Sequence, residues 1–103
     1  MRELLETITN SGKNISDDAL ANWKNKYPFL LLEFVENYGN VHLLYNSIVS
    51  SEQFYNYFNG TQSYFRYYGT NSSYNYILYK DRNGSLFIAN GNSSTLKIYG
   101  MIL

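Results

Sequence analysis

The chain has 103 residues, with eight Lys and Arg, eight Asp and Glu, one His and no Cys. This length predicts a single domain over residues 1–103, and the lack of Cys excludes disulfides, thiolate metal sites and cysteine nucleophiles. The formal net charge of zero argues against nucleic-acid binding, which depends on neutralising phosphates. No apolar run approaches the ~20 residues of a membrane span, and no signal peptide is visible at the start, so we expect a soluble cytoplasmic protein.

Aromatic residues outnumber charged residues in this chain. Twelve Tyr, six Phe and one Trp make up 18% of the sequence, against 16% for Asp, Glu, Lys and Arg. Codon usage in an AT-rich genome is one explanation. An aromatic recognition surface is another, because Tyr provides contact area at low entropic cost. Both explanations stay open from the sequence alone.

The first predicted helix lies at the start of the chain. Leu4, Leu5 and Ile8 recur there at helical spacing. Gly12 then ends the helix, because glycine readily adopts the left-handed conformation of a helix cap.

The second predicted helix begins after Ser16, whose side chain is a favoured N-cap. Asp17 and Asp18 follow in its first turn, where the helix dipole favours negative charge. Ile15 and Leu20 occupy the two positions of a hydrophobic staple. Several independent signals therefore predict a helix here.

The third predicted helix covers residues 29–38. Pro28 ends the second helix and is suited to the first position of the next one. Apolar residues recur along this segment, and Gly39 ends it. The exposed side of the helix then carries Glu33 and Glu36, which share a helix face at i,i+3 spacing.

The rest of the chain predicts a short strand, a short helix and a sheet. The helix starts from a capping box at Ser50–Gln53, and the dipeptide Asn83-Gly84 predicts a tight hairpin. The strands are expected at residues 41–45, 64–68, 74–80, 85–89 and 96–102.

These elements predict an α+β fold, with N-terminal helices packed on one face of an antiparallel C-terminal β-meander. The hairpin turn places Ile77 and Tyr79 beside Leu86 and Ile88, and the strand at 96–102 continues the sheet. One face then also holds Leu96, Ile98 and Ile102, and the opposite face holds Tyr76, Leu78, Phe87, Ala89, Tyr99 and Met101. Neither face is polar, although an antiparallel sheet with one solvated face should alternate. One apolar face therefore either meets a partner or lies under the short helix or the chain termini.

No catalytic or metal-binding constellation is visible in the sequence. His42 is the only His, and it lies in an apolar run without an evident partner. Glu33 and Glu36 would suit acid–base chemistry, but a solvated helix face explains them more simply. Metal sites need clusters of His, Cys or carboxylates. We therefore expect no enzyme activity, no cofactor and no metal.

Binding functions fit the composition better. Tyr64, Arg66, Tyr67 and Tyr68 would let nucleic-acid bases stack on a sheet, but the basic residues are spread out and offset by acids. Sugar binding by Tyr and Asn side chains has no specific motif here. A protein–protein interface is favoured, because interface cores are rich in aromatic residues and poor in charge.

Short motifs resemble the SUKH superfamily over roughly residues 15–90. Members typically begin with Ile-Ser-acid, continue with a Pro-containing helix start and reach an aromatic residue before Gly. The matching segments are ISDDAL at 15–20, YPF at 27–29, FVENYG at 34–39, LY at 44–45, YILY at 76–79 and GSLF at 84–87.

The resemblance implies an α+β immunity protein that binds a cognate bacterial toxin, often a nuclease, and covers its active surface. Acidic side chains would face a basic cleft and speed association, while tyrosines would act as contact anchors. The partner-binding candidates are Glu33, Glu36, Glu52, Tyr64, Tyr68, Tyr74 and Tyr76.

Three other functions stay open. A phage-encoded inhibitor of a host defence protein would have the same sequence features. A self-associating module would use the apolar sheet face as the interface of a homodimer. A small-ligand binder would need a concave aromatic pocket.

Overall fold

The computed structural model describes residues 2–9, 12–38, 41–58, 63–68, 75–80, 85–89 and 95–102. Side chains are described in these ranges except at 36–38, 41–45, 63–68, 75–80, 85 and 87–89. Within these ranges the chain forms two helices and eight strands. In chain order they are β1 (Arg2–Thr9), β2 (Lys13–Asn14), α1 (Asp17–Lys26), β3 (Phe29–Tyr38), β4 (Val41–Ser50), α2 (Ser51–Phe58), β5 (Ser63–Tyr68), β6 (Asn75–Lys80), β7 (Ser85–Ala89) and β8 (Thr95–Met101).

The strands form two antiparallel sheets. The first sheet has the order β1-β8-β3-β4 and the second has the order β2-β7-β6-β5. Helices combined with antiparallel sheets make an α+β fold, as predicted. The predicted order of helices followed by one meander is only partly right. The segments of two predicted helices form β1 and β3, and β8 leaves the meander to lie between them.

Both helices begin at the predicted caps. The Ser16 hydroxyl accepts a hydrogen bond from the backbone N–H of Ala19 at 3.1 Å. The Ser50 hydroxyl accepts one from the backbone N–H of Gln53 at 3.3 Å. Leu20, the predicted staple residue of α1, is buried. Capping chemistry is local, which is why it locates helix starts from sequence alone.

The first predicted helix is a strand. β1 pairs with β8, and the register shifts between Leu4 and Glu6, which leaves Leu5 as the extra residue of a bulge. The bulge changes which face successive residues point to, so Leu4 is exposed whereas Ile8 is fully buried. Because the bulge interrupts the alternation, the apolar residues Leu4, Leu5 and Ile8 recur as they would along a helix. Gly12 has the expected positive φ of 80°, but it follows a strand instead of a helix.

The third predicted helix is also a strand. β3 pairs with β4 on one side and with β8 on the other. Leu30, Leu32 and Phe34 are buried, while the residues between them are half-buried, as expected of a strand. The segment is apolar at odd and even positions alike, so periodicity alone does not separate a helix from a strand buried on both faces. The segment forms a strand because it pairs with a neighbouring strand on each side. The next strand, β4, extends beyond the predicted residues 41–45 to Ser50.

The predicted register between β6 and β7 is wrong. The observed pairs are Ile77–Ala89, Leu78–Ile88, Tyr79–Phe87 and Lys80–Leu86. In each observed pair the two residue numbers are both odd or both even. The predicted face instead needs odd-numbered residues of β6 beside even-numbered residues of β7. The predicted face, with Ile77 and Tyr79 beside Leu86 and Ile88, is therefore divided between the two sides of the sheet. The turn residues 83–84 lie outside the described residues.

A hydrophobic core joins the first sheet to the two helices and to the second sheet. Its buried members are Ile8, Ile15, Leu20, Tyr27, Leu30, Leu32, Phe34, Phe54, Phe58, Leu86, Leu96 and Ile98. Trp23 of α1 meets Phe54 of α2 with ring centroids 6.4 Å apart. The side of the first sheet that faces this core is called the inner face below, and the opposite side is called the outer face.

Candidate functional site

One row of residues on the outer face is apolar across the whole width of the first sheet. Directly paired residues of antiparallel strands share a face, so the register sets Leu4, Tyr99, Leu31 and Ile48 in one row across β1, β8, β3 and β4. We call these four residues the outer row. Leu4 is 52% exposed and Ile48 is 63% exposed, and the two residues between them are half-buried. A sheet face in contact with water is normally polar, so the core does not explain the outer row.

Charged side chains lie beside the outer row. The guanidinium of Arg2 lies over the ring of Tyr99, 4.3 Å from its centroid. The same side chain reaches Glu33, with 3.6 Å between Nη1 and Oε2. Glu33 also pairs directly opposite Lys97 of β8. The outer face therefore combines an apolar and aromatic centre with charges of both signs, which is typical of a protein interface.

The inner face, in contrast, is closed by Tyr27. Its buried ring lies on Gly100, where a Cβ atom would come within 2.6 Å of three ring carbons. The Ser51 hydroxyl donates a hydrogen bond to the carbonyl of Tyr27, and the Ser51 N–H donates to the carbonyl of Pro28 at 3.2 Å. The start of α2 thereby holds the link between α1 and β3 against the sheet.

A small polar cluster lies at the edge of the inner face. The Tyr27 hydroxyl donates to the carboxylate of Glu3, and Lys26 Nζ lies 3.5 Å from the same carboxylate oxygen. The Tyr27 hydrogen bond and the charge of Lys26 lower the pKa of Glu3 below its ordinary value. The Tyr27 side chain and the charge of Glu3 raise the pKa of Lys26. These groups satisfy one another, so the cluster joins β1 to the end of α1.

An ion pair joins the two sheets. Lys13 of β2 places its Nζ 2.5 Å from Oε1 of Glu6 on β1. The same Glu6 oxygen accepts a hydrogen bond from the backbone N–H of Thr7 at 3.2 Å. The carboxylate therefore connects its own strand to the neighbouring sheet.

The acidic partner-binding candidates do not gather on one surface. Glu33 lies on the outer face, beside the outer row. Glu36 occupies a position of the same strand opposite Leu43, and positions three apart in a strand do not share a face. The helix face predicted for these two residues is therefore wrong. Glu52 is exposed in the first turn of α2, which packs on the inner face.

The tyrosine candidates belong to the second sheet. Tyr64 and Tyr68 lie in β5, which ends that sheet, and Tyr76 lies in the neighbouring strand β6. Tyr74 lies outside the described residues. The structure thus separates these positions from Glu33 on the first sheet, and their role in partner binding stays a prediction.

The described part of the chain shows no arrangement of side chains for metal binding. Its side chains include no group of three or more His, Cys, Asp or Glu residues that could hold a metal ion. His42 occupies a position in β4 opposite Asn37. No helix in the described ranges is long and apolar enough to cross a membrane.

Sequence reasoning missed most of the outer row. It placed Tyr99 and Met101 on an apolar face opposite Leu96 and Ile98. For these four residues the alternation is confirmed, because Leu96 and Ile98 are buried and Tyr99 and Met101 are half-buried. Ile102, predicted on the face of Leu96, is instead exposed beyond the end of β8. It missed Leu31 because a helix was predicted there, although an apolar run followed by a second strand was the available signal for a buried strand.

No family model, curated protein or solved structure matches this chain. Inference about function therefore starts from the geometry of the outer face and from the motifs in the sequence.

Proposed function

We propose that the protein is a non-enzymatic binding protein that covers the active surface of a cognate protein, as an immunity or inhibitor protein does. The observation that carries this proposal is the outer row, four apolar positions in register across a complete four-stranded sheet. It lies on the face opposite the helices. Exposed apolar patches on folded domains mark interaction sites.

The shape of this surface suits a protein better than a small ligand. Small ligands bind in concave pockets that bury most of their surface. The outer row instead crosses four strands, so its ends at Leu4 and Ile48 lie three strand spacings apart, about 14–15 Å. A sheet also holds its side chains in place before binding, which reduces the entropic cost of association.

The composition of the outer face indicates which contacts would provide the binding affinity. Tyr and Arg are enriched among residues that dominate binding energy, and Tyr99 with Arg2 above it lies within the outer row. Glu33 adds negative charge, but Arg2 offsets it at 3.6 Å. We expect the affinity to come from apolar and aromatic contacts, with the charges setting orientation and association rate.

The immunity or inhibitor role is supported by the SUKH-like motifs. Residues 15–20 of that resemblance form the cap and first turn of α1. The segment after Pro28, where the family has a helix start, instead forms β3, the strand that contributes Leu31 to the outer row. The proposed partner is a toxin domain, with a nuclease as one such class. A host defence protein bound by a phage inhibitor would use the same surface in the same way.

The test begins with the tagged full chain and a cell extract from its native host. Proteins retained with it are identified by mass spectrometry, produced separately, and mixed with the chain at equal amounts. We expect one of them to form a one-to-one complex in size-exclusion chromatography and to lose its own activity in that complex.

The outer row is then tested by calorimetry with this purified partner. Leu4→Ser and Ile48→Ser alter the two most exposed positions, at opposite ends of the row, so both variants should fold. We expect each to weaken binding about tenfold or more, as loss of a well-packed interface residue does. Tyr57→Ser, which changes an exposed aromatic residue on α2, serves as the control and should bind normally. A partner that retains its activity, or full affinity in both row variants, would contradict the proposal.

A further inference from the structure

The two edges of the first sheet are protected to different degrees. β1 carries three charged residues, Arg2, Glu3 and Glu6, and the bulge at Leu5 interrupts its register. Charges and bulges are devices by which natural proteins keep a sheet edge from pairing with another strand. The β1 edge is therefore blocked.

The β4 edge has neither device. Its ten residues, VHLLYNSIVS, include no Lys, Arg, Asp, Glu or Pro, and all ten pair with β3 without a register shift. Within the part of the chain that the structure describes, β4 ends the sheet order and pairs with β3 alone. Such a long, regular and uncharged edge presents backbone N–H and C=O groups that can pair with another strand.

We propose that β4 pairs with β4 of a second copy of this chain, antiparallel about a two-fold axis, so that two four-stranded sheets join into one sheet of eight strands. This inference is separate from the binding function proposed above, because edge pairing adds a neighbour beside Ile48 at one end of the outer row and leaves the rest of the outer face open. Two-fold contacts between identical surfaces are the commonest oligomeric arrangement, and they require a surface that complements itself.

The sequence of β4 complements itself about Asn46. The two-fold axis is perpendicular to the joined sheet, so the outer faces of the two copies lie on the same side of it. Even-numbered residues therefore pair with even-numbered residues, and odd-numbered residues with odd-numbered ones. With Asn46 on the axis, Leu44 lies opposite Ile48 of the partner subunit. Leu43 lies opposite Val49 of the partner subunit. Apolar positions therefore meet in one pair on each face, and such cross-strand pairs stabilise sheets. The positions next to the axis pair a tyrosine with a serine.

Neighbouring registers match less well. Centring the axis on Tyr45 sets Leu44 opposite Asn46 of the partner subunit. Centring it on Ser47 sets Ile48 opposite Asn46 of the partner subunit. Both registers pair an apolar residue with an amide, so the register centred on Asn46 is preferred.

Charge favours a second copy over a charged foreign strand. The chain has a formal net charge of zero, so two copies do not repel each other at long range. β4 itself offers no charged side chain that would select an acidic or basic segment. Asn46 is exposed and brings no charge to the axis.

The first test measures the mass of the wild-type protein by analytical ultracentrifugation over concentrations from about 1 µM to about 1 mM. We expect a reversible dimer. Asn46→Lys places two ammonium groups opposite each other at the axis, as edge lysines do in natural sheets. It should weaken the dimer about tenfold or more, because juxtaposed like charges oppose association. Asn22→Lys adds the same charge on the exposed side of α1 and should leave the dimer unchanged.

The second test fixes the register. The chain has no Cys, so Asn46→Cys introduces one thiol per copy, and Asn22→Cys is the matched control. Directly opposed residues in antiparallel strands have Cα atoms about 4.5–5.5 Å apart, within the range that a disulfide spans. In oxidised glutathione, Asn46→Cys should form a disulfide-linked dimer and Asn22→Cys should stay monomeric on a non-reducing gel.

Three results would overturn the inference. They are a wild-type protein that stays monomeric at every concentration, a dimer that Asn46→Lys does not weaken, and a dimer that Asn46→Cys does not cross-link. Loss of dimerisation would leave Leu4 and the outer row in place. The effect of Leu4→Ser on partner binding therefore tests the proposed function whether or not the chain forms a dimer.

Discussion

The two faces of the first sheet are built from the same strands but have different surroundings. On the inner face Leu30, Leu32 and Phe34 are at most 2% exposed, because the helices and the core cover them. On the outer face the four residues of the outer row are also apolar, yet Leu4 and Ile48 are more than half exposed. Apolar composition therefore does not decide which face is buried, and the position of the helices does.

This difference separates stability from binding. A sheet needs only one apolar face to form a core, and the inner face provides it. The outer row adds little that the core requires, so we expect inner-face substitutions to change the free energy of unfolding and outer-face substitutions to change partner binding. A pair of leucines on the two faces tests this division, and two contacts on the inner face should then have progressively smaller effects on stability.

The largest effect is expected from two neighbouring leucines on opposite faces of β3. Leu32 is 1% exposed in the core, so Leu32→Ala should lower the free energy of unfolding by about 2–5 kcal/mol through lost contacts and a cavity. Leu31 is half-buried in the outer row, so Leu31→Ala should lower the free energy of unfolding by less than half as much. Urea unfolding of the two variants measures the difference directly, and equal losses would show that the outer face is as tightly packed as the inner one.

The next effect is expected at the contact between Tyr27 and Gly100. In Gly100→Ala the new methyl group would meet the Tyr27 ring at 2.6 Å, and the ring must shift. We expect a loss of about 1–3 kcal/mol, which is typical of overpacking a well-packed site. Thermal unfolding of the single and double variants tests the cause. Gly100→Ala should lower the free energy of unfolding by less in a Tyr27→Leu background. An unchanged loss would show that the strain arises elsewhere.

The smallest effect is expected at Glu3, because this carboxylate is exposed to solvent. Its folded pKa lies below the ordinary value, so the ionised form stabilises the fold above the ordinary pKa. That contribution is lost as the pH falls through the folded pKa. Glu3→Gln should therefore lower the urea midpoint slightly at neutral pH and leave it unchanged in acid below the folded pKa. Glu52→Gln on α2 is the control, and a midpoint difference that persists in acid would contradict this explanation.

Sequence reasoning found the elements whose signals are local. The caps at Ser16 and Ser50 lie within a few residues of the N–H groups that they satisfy, so both helices could be located without knowledge of the fold. β1 and β3 could not be identified in this way. The bulge at Leu5 disguises the alternation of β1. β3 carries apolar residues on both faces, so its pattern fits a helix as well as a strand, and its pairing with β8 joins residues that are distant in sequence.

The candidate site was predicted only in kind. An apolar sheet face was expected to meet a partner. Tyr99 lies on the outer face beside exposed apolar residues, and partner binding there stays a prediction. The outer row as a whole depends on β8 lying between β1 and β3, which no local pattern indicates. Glu33 was selected as part of an acidic helix face and lies beside the outer row for a different reason, as a strand residue that reaches Arg2.

The central position of β8 also determines when the first sheet can be completed on the ribosome. β8 begins at Thr95, more than eighty residues after β1 ends at Thr9, which corresponds to roughly 4–17 s at usual translation rates. Until then β1 and β3 have emerged without the strand that joins them, and β3 is apolar on both faces. We therefore expect chaperones that bind apolar segments to hold the nascent chain until β8 has been synthesised.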